Sequence, residues 1–363
     1  MKTRRRSALT HSLAGLALCT LAVGCHSNNN SPGIDAGPPV VDGGTDGGAT
    51  IDGGTDGGAL GTGTPTTTTV IANGAQPFDS APSPDGTQVY FTGTDSAQGA
   101  AVFKVPAAGG ATTLVASGIN CGTTSTCIGV PFGVAVSTDG TTVFAADPAF
   151  RGASANDNGA IFKVPAVGGE PAALAETVDY APYAVTVTKV GTADNIYFIG
   201  QDPTASGAPG IFMDAASKVT PVIEGAAAND PQAVAVASDG TVYFVDGNGA
   251  VQKVLAGKAT PLVAGAKNLI VSFPAGIAVS QDNKAVLVPD TDPATSAPGI
   301  ARIDVATGAV TQLALTPALV ALNSSGGGLH RAANADIYSF VDTGAGTGPA
   351  SQSFSTGTIY LLK

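Results

Sequence analysis

Aspartate recurs at one position of a repeated segment, so a ring of carboxylates is the first chemistry that the sequence suggests. Each of these aspartates follows a short run of branched or aromatic apolar residues and precedes a loop of small and polar residues. An Asp in this position typically caps its own loop by accepting backbone N–H bonds, although six carboxylates in a ring could also bind a cation. We favour the capping role and predict no metal site. The six residues are Asp95, Asp147, Asp202, Asp246, Asp290 and Asp342.

A second group combines a carboxylate with a histidine and an arginine. Asp79 stands where most other copies of the segment have Gly or Ala, and His330 and Arg331 replace the apolar pair Ala135 and Val136. A His–Asp pair beside a channel could do acid–base work. The same residues could instead form a buried ion pair at a seam between copies. The sequence places Asp79, His330 and Arg331 near one another and leaves both roles open.

Aromatic residues form a third group of candidate ligand-binding residues. Phe78, Phe132 and Tyr183 each follow a Pro at the start of a copy. They could rim a pocket and stack on a sugar or peptide, or they could pack between neighbouring copies. Phe150 and Arg151 lie in a long loop, where we expect few core contacts and a role in binding a ligand.

The segment that carries these residues recurs about every 50 residues. Most copies contain three strand-like runs, a weaker fourth run and short turns such as STDGT, which is typical of propeller blades. The sixth copy lacks a fourth strand, and TTTTVIANG at 66–74 resembles the fourth strand of the first copy, GATTLVASG at 110–118. We therefore predict an all-β fold, a six-bladed β-propeller over residues 65–363 with one-plus-three closure. The copies begin at Pro77, Pro131, Pro182, Pro231, Pro274 and Gly326.

The repeated pattern, from the Pro through Asp-Gly to Val-Tyr-Phe-x-Asp, resembles the six-bladed NHL, TolB-like and SMP-30-like propellers. The segment SPDGTQVYFTG at 83–93 is especially similar to the TolB-type repeats. These families include protein-binding scaffolds and sugar-lactone hydrolases, so the resemblance implies a fold and not one activity. Metal-dependent lactonases of the SMP-30-like type need a Glu on the metal ion. Here Glu170, Glu176 and Glu224 all lie away from the first strands of the copies, which weakens the hydrolase interpretation.

Loop lengths indicate which face of the propeller binds a ligand. The turns joining strands 1–2 and 3–4 of each blade are short, and we call their side the short-loop face. The loops joining strands 2–3 and successive blades are longer and more variable, and we call their side the long-loop face. Binding residues are usually carried by long loops on a rigid scaffold. We predict a binding module for a protein, peptide or glycan on the long-loop face, without a cofactor; the alternative is a channel-sited hydrolase.

The composition excludes one class of partner. The 363-residue chain carries a formal net charge of −11, and phosphate binding requires a basic surface. Nucleic acid is therefore not an expected partner. We expect a monomer.

The N-terminus has the features of an export signal. Residues 1–24 combine a basic start, MKTRRR, with an apolar core too short to span a bilayer. The sequence before Cys25 resembles the bacterial lipobox, which implies that Cys25 carries a lipid anchor. By resemblance to lipoprotein sorting in Gram-negative bacteria, His26 favours the outer membrane. Residues 25–64 are rich in Asp and Gly, so we predict a flexible tether.

Cys121 and Cys127 are the only cysteines after Cys25, and they lie in the loop between the first two copies. Because an exported chain meets an oxidising compartment, we predict a local disulfide between them. Its short loop limits the stabilisation to roughly 2 kcal/mol. Thiol titration of the exported protein should find no free thiol at these two positions. Two reactive thiols would contradict the prediction.

Overall fold

The computed structural model of the chain describes residues 64–73, 76–95, 99–117, 128–150, 158–263, 276–291, 295–316, 318–319, 328–342 and 358–363. Their strands form six antiparallel sheets of four strands each. The prediction of an all-β, six-bladed β-propeller is therefore confirmed. The export signal, Cys25 and the tether to residue 63 lie outside the described residues and stay predictions. Among the described residues, no helix has the length and apolar character needed to cross a membrane.

Blades 1 to 3 follow the chain order, with the first strand of each blade innermost. Blade 1 consists of β2 Gln76–Pro82, β3 Gln88–Asp95, β4 Gly99–Pro106 and β5 Thr113–Ser117. Blade 2 consists of β6 Gly133–Val136, β7 Thr142–Asp147, β8 Ala160–Pro165 and β9 Ala172–Ala173. Blade 3 consists of β10 Ala184–Val190, β11 Ala193–Asp202, β12 Ala208–Asp214 and β13 Val219–Glu224. Short 3-10 helices follow two of these blades, at Ala175–Thr177 and Gly225–Ala227.

Blades 4 and 5 repeat this order, and blade 6 differs in taking its outer strand from the N-terminal side of the chain. Blade 4 consists of β14 Ala233–Val236, β15 Val242–Val245, β16 Val251–Leu255 and β17 Lys258–Pro261. Blade 5 consists of β18 Ala278–Val279, β19 Ala285–Thr291, β20 Pro298–Asp304 and β21 Val310–Gln312. Blade 6 consists of β22 Leu329–Arg331, β23 Tyr338–Asp342, β24 Thr358–Leu362 and β1 Thr68–Asn73.

A hydrogen-bonded turn joins the first two strands of several blades and explains the repeated S-x-D-G-T motif. In blade 2 the Ser137 hydroxyl donates to Asp139 Oδ1 (2.6 Å), and the Thr141 N–H donates to the same oxygen (2.9 Å). Gly140 adopts φ +75°, which is strained for residues with a side chain. The bonds from Ser137 and Thr141 lower the pKa of Asp139 to about 2. These turns fix the ends of the inner strands at the short-loop face.

The hydrophobic core consists of layers between adjacent blades. Each of six apolar clusters joins two neighbouring blades, and together the clusters pass around the whole ring of described residues. Between blades 6 and 1, for example, Ile71, Val341 and Ile359 pack with Phe91 and Phe103. Both faces of each sheet are thus covered, which agrees with strands that read as nearly continuous apolar runs.

The N-terminal strand closes the ring as predicted. β1 pairs antiparallel with β24, from Thr68 opposite Leu362 to Asn73 opposite Thr358. The inner strands also contact one another in a closed circuit, from β2 through β6, β10, β14 and β18 to β22 and back to β2. The one-plus-three arrangement therefore leaves blade 6 complete.

Two deletions test this closure. Removing residues 26–62 should leave the melting temperature of the propeller unchanged, because β1 and every other described strand are kept. Removing residues 26–75 deletes β1, exposes the edge of β24 and leaves the side chains that pack against Ile71 uncovered. We therefore expect aggregation, or a loss of unfolding free energy comparable to the stability of a whole domain, roughly 5–15 kcal/mol. Thermal unfolding of the two proteins makes the comparison. Equal melting temperatures would contradict closure by β1.

Candidate functional site

The inner strands surround a central channel with a cavity at each end. The cavity at the long-loop face has a volume of about 160 Å³ and is lined by the beginnings of the inner strands. We call it the mouth cavity. The cavity at the short-loop face has a volume of about 250 Å³ and is lined by the ends of the same strands and the turns that follow. We call it the short-loop cavity. Ile277 and His330 line both, so these two residues stand where the cavities meet.

Aromatic side chains dominate one side of the mouth cavity. Phe78 and Phe132 are stacked, with ring centroids 5.3 Å apart and an interplanar angle of 25°. Phe132 is 39% exposed, which is unusual for a ring of this size in the described residues. Both rings belong to the cavity lining. Both roles that the sequence left open are therefore seen: the two rings pack against each other between blades 1 and 2, and both line the cavity. Ligand binding by these rings stays a prediction.

Tyr183 lines the same cavity but also links two blades. Its hydroxyl donates to the carbonyl oxygen of Pro231 in the next blade. Burial, together with the nearby charge of Asp230, raises the pKa of Tyr183. The ring therefore presents a fixed apolar wall to the cavity while its hydroxyl is committed to the scaffold.

Asp79 and His330 meet at the bottom of the mouth cavity, as predicted. His330 Nε2 lies 3.2 Å from Asp79 Oδ2, and the two side chains are 14% and 8% exposed. The same oxygen accepts the Val134 N–H (2.8 Å), and Oδ1 accepts the Ser80 N–H (2.7 Å). Asp79 in blade 1 thus binds both neighbouring blades, through Val134 in blade 2 and His330 in blade 6. The geometry is that of a buried structural junction in which both oxygens of Asp79 accept hydrogen bonds.

Glycine is required beside this junction. Gly328 adopts φ +66°, and a Cβ atom at that position would lie 1.4 Å from Asp79 Oδ1. Any larger residue would displace the carboxylate from its partners. Gly328, the last glycine in the degenerate start of the sixth copy, therefore reflects the space that Asp79 occupies.

Arg331 does not join Asp79 and His330, contrary to the expectation that all three lie together. Its guanidinium extends to the short-loop cavity and donates to the carbonyl oxygens of Val279 (2.8 Å) and Ala332 (2.8 Å). β22 places successive side chains on opposite sides, so His330 turns to Asp79 while Arg331 crosses to blade 5. Arg331 is therefore a residue of the opposite end of the channel.

Phe150 is not an exposed loop anchor. Its side chain is 3% exposed and meets Phe162 edge to face, with centroids 5.0 Å apart. The expectation of few core contacts is wrong, because the chain returns at Gly159, whose N–H donates to the Phe150 carbonyl (3.0 Å), and folds the ring into the layer between blades 1 and 2. Other predicted site residues lie outside the described residues: Cys25, Cys121, Cys127 and Arg151.

Three of the six repeated aspartates accept N–H groups of the loops that follow them, as predicted for capping residues. They are Asp147, Asp202 and Asp246. Asp147 Oδ1 accepts the Ala149 N–H (2.9 Å), and Asp246 Oδ1 accepts those of Asn248 and Ala250 (both 2.9 Å). Asp202 binds Thr204 in the same way. Burial raises the pKa of Asp147 despite its N–H partners. Across the described residues, no three His, Cys, Asp or Glu side chains are grouped as metal ligands would be.

Gln232 is a lining residue that the aromatic pattern of the sequence did not indicate. It lines the mouth cavity together with Phe78, Phe132 and Tyr183. All four residues directly follow the Pro that begins a copy of the repeat. That shared position, and not aromatic character, was the signal that could have identified it.

Neither any protein-family model nor any curated protein sequence matches the chain. Among solved structures, the PQQ-bound aldose sugar dehydrogenase from Streptomyces coelicolor is 13% identical, with a TM-score of 0.53, and the match covers 82% of this chain and 98% of that chain. A chain of a nidogen–laminin complex is 14% identical, with a TM-score of 0.47 and coverage of 66% and 81%. TolB from Acinetobacter baumannii is 14% identical, with a TM-score of 0.45 and coverage of 78% and 62%. At these identities the similarity shows the fold alone.

The junction at Asp79 can be tested by one substitution. Asp79→Asn should lower the unfolding free energy by about 1–3 kcal/mol, because an amide has a single acceptor oxygen and cannot accept the Ser80 N–H on one side and the Val134 N–H on the other. Asp239→Asn is a matched control, since Asp239 is an exposed turn residue that accepts a local N–H and bridges no blades in the described structure. Chemical unfolding of both variants gives the comparison. Equal losses would show that Asp79 is not a junction.

Proposed function

We propose that this β-propeller is a binding module that holds a peptide or glycan segment, free or as part of a protein, in its mouth cavity. The main support for this proposal is the stacked pair of Phe78 and Phe132, because the ring of Phe132 is exposed beside the cavity. Exposed aromatic rings at a concave site bind flat apolar faces of sugars or side chains with little loss of conformational freedom.

Polar groups at the cavity complete the proposed site. Gln232 supplies an amide donor and acceptor on the wall opposite the aromatic pair, and its Nε2 currently donates to the Asp230 carbonyl (2.9 Å). An apolar surface with a few polar groups is typical of ligand sites in which the polar groups fix orientation. The combination suits a ligand that has both an apolar face and hydroxyl or amide groups.

The hydrolase alternative has one observation in its favour, the His330–Asp79 pair at 3.2 Å. Two features favour binding instead. The Asp79 carboxylate already accepts two backbone N–H groups. Moreover, the described lining of the mouth cavity includes no Ser, Thr or Cys that the histidine could activate. We therefore keep binding as the proposed function.

The proposal also places the propeller at the outer membrane as a monomer anchored through lipidated Cys25. Its support is the signal-like N-terminus and the lipobox-like sequence before Cys25. The residues after Cys25 are rich in Asp and Gly, a composition that is typical of a flexible tether. Such a tether would allow the long-loop face to reach a ligand.

Phe132→Ala tests the binding function against a matched control. Leu114 is 40% exposed and lies on the outer strand β5, away from the mouth cavity. On an array of short peptides and oligosaccharides, the Phe132→Ala protein should bind the ligands of the wild type at least tenfold more weakly, a loss of about 1.4 kcal/mol. Leu114→Ala should bind as the wild type does, and both variants should melt near its temperature.

Equal binding by the two variants would contradict the proposal, as would an array without a bound ligand. Hydrolysis of an arrayed compound by the wild-type chain, lost on His330→Gln, would support the alternative.

A further inference from the structure

The short-loop cavity is the larger of the two channel cavities, at about 250 Å³, and lies at the opposite end of the channel from the mouth cavity. Its walls are mostly aliphatic and hydroxyl side chains, with Val136, Thr186, Val187 and Ile277 among them. A dry apolar cavity of about 150 Å³ can hold benzene. The short-loop cavity therefore has room for a compact organic molecule that carries one polar group.

The ionisable residues that line this cavity are all basic, and one of them, His330, is paired with Asp79. Lys189, His330 and Arg331 are its ionisable lining residues, and its described lining contains no Asp or Glu. This is unexpected in a chain with 27 acidic and 16 basic residues. Basic groups of one cleft attract anions, and Asp194, a carboxylate beside the lining, is already held by the Thr138 N–H and hydroxyl.

Arg331 presents an incompletely used guanidinium to the cavity. Its Nε and Nη1 donate to carbonyl oxygens of blade 5 and of the turn after β22. No bond from Nη2 occurs within the described residues, and no carboxylate there lies within ion-pair distance of Arg331. The acidic residue nearest in sequence, Asp336, instead accepts the Gln281 N–H (2.8 Å) and the Tyr338 hydroxyl (2.9 Å).

A charge in this position is costly without an anionic partner. Burial lowers the pKa of Arg331, and the opposing effects of Tyr338 and Asp336 offset it only in part. Carbonyl dipoles supply some compensation, but a desolvated guanidinium gains most from a carboxylate that accepts two of its N–H groups.

We propose that the short-loop cavity binds a small organic carboxylate, with its carboxylate against Arg331, its apolar body against the aliphatic walls and Lys189 at the rim. The site is separate from the mouth cavity and does not depend on the function proposed for it.

Benzoate and its neutral isostere benzamide test the charge requirement. In calorimetric titrations of the full chain, benzoate should bind at least tenfold more tightly than benzamide, because only benzoate compensates Arg331. Its affinity should fall as salt is added. Equal affinities, or no binding of either compound, would overturn the proposal.

Two lysine variants locate the site. Lys189→Glu reverses an exposed charge at the rim without removing a described hydrogen bond, and should weaken benzoate binding about tenfold. Lys258→Glu makes the same charge change on the outer strand β17 and should have no effect beyond a slight one from net charge. Arg331 itself is left in place, since its loss would release carbonyls in two blades.

Phe132→Ala separates this site from the mouth cavity. Benzoate should bind that variant as it binds the wild type, whatever the array experiment gives. Equal weakening by Lys189→Glu and Lys258→Glu, or loss of benzoate binding in Phe132→Ala alone, would overturn the assignment to the short-loop cavity.

Discussion

The pairing of β1 with β24 is the interaction on which the rest of the structure depends. A sheet of three strands in blade 6 would leave β24 with an unpaired edge, and sheet edges of that kind pair with other chains. The pairing also carries Ile71 into the layer between blades 6 and 1. Since every blade is covered by its two neighbours, an incomplete blade 6 would expose the faces of both blades 5 and 1. The ring of blades is thus completed by a strand from the other end of the domain.

Asp79 strengthens the same region from the inside. It stands where most blades have a small residue, and its carboxylate binds backbone in blade 2 and a side chain in blade 6. The cost of burying a carboxylate is offset by charge-assisted hydrogen bonds, which are stronger than neutral ones. The result is a polar junction that crosses the closing seam and forms the floor of the mouth cavity. His330 therefore has a structural explanation that does not require catalysis.

The two ends of the channel differ in chemistry although they share the same strands. At the long-loop face the residues after each initial Pro supply aromatic and amide groups, whereas at the short-loop face the ends of the strands supply basic groups and aliphatic walls. The hydrogen-bonded Asp turns hold the second set in place. The fold is shared with an aldose sugar dehydrogenase of very different sequence, so function has to be read from these channel residues and not from the scaffold.

The sequence by itself determined the number of blades, their strand order and the closure by residues 66–74. These features depend on local patterns: apolar runs of strand length, Asp-Gly turns and a count of strands that leaves one unpaired. The sequence also indicated that Asp79 and His330 lie close together, because both residues depart from the repeat pattern and belong to adjacent blades.

The tertiary structure alone decided where individual side chains went. Phe150 lies in a loop by sequence, yet its chain folds back at Gly159 and buries the ring against Phe162. Arg331 neighbours His330 in sequence, yet strand alternation sends it to blade 5 and to the other cavity. The period of the repeat shows which residues occupy equivalent positions in the blades. The direction of a long side chain depends instead on the carbonyl groups and the free space of the neighbouring blade. For that reason the basic character of the short-loop cavity, assembled from residues of different blades, became visible only in the folded chain.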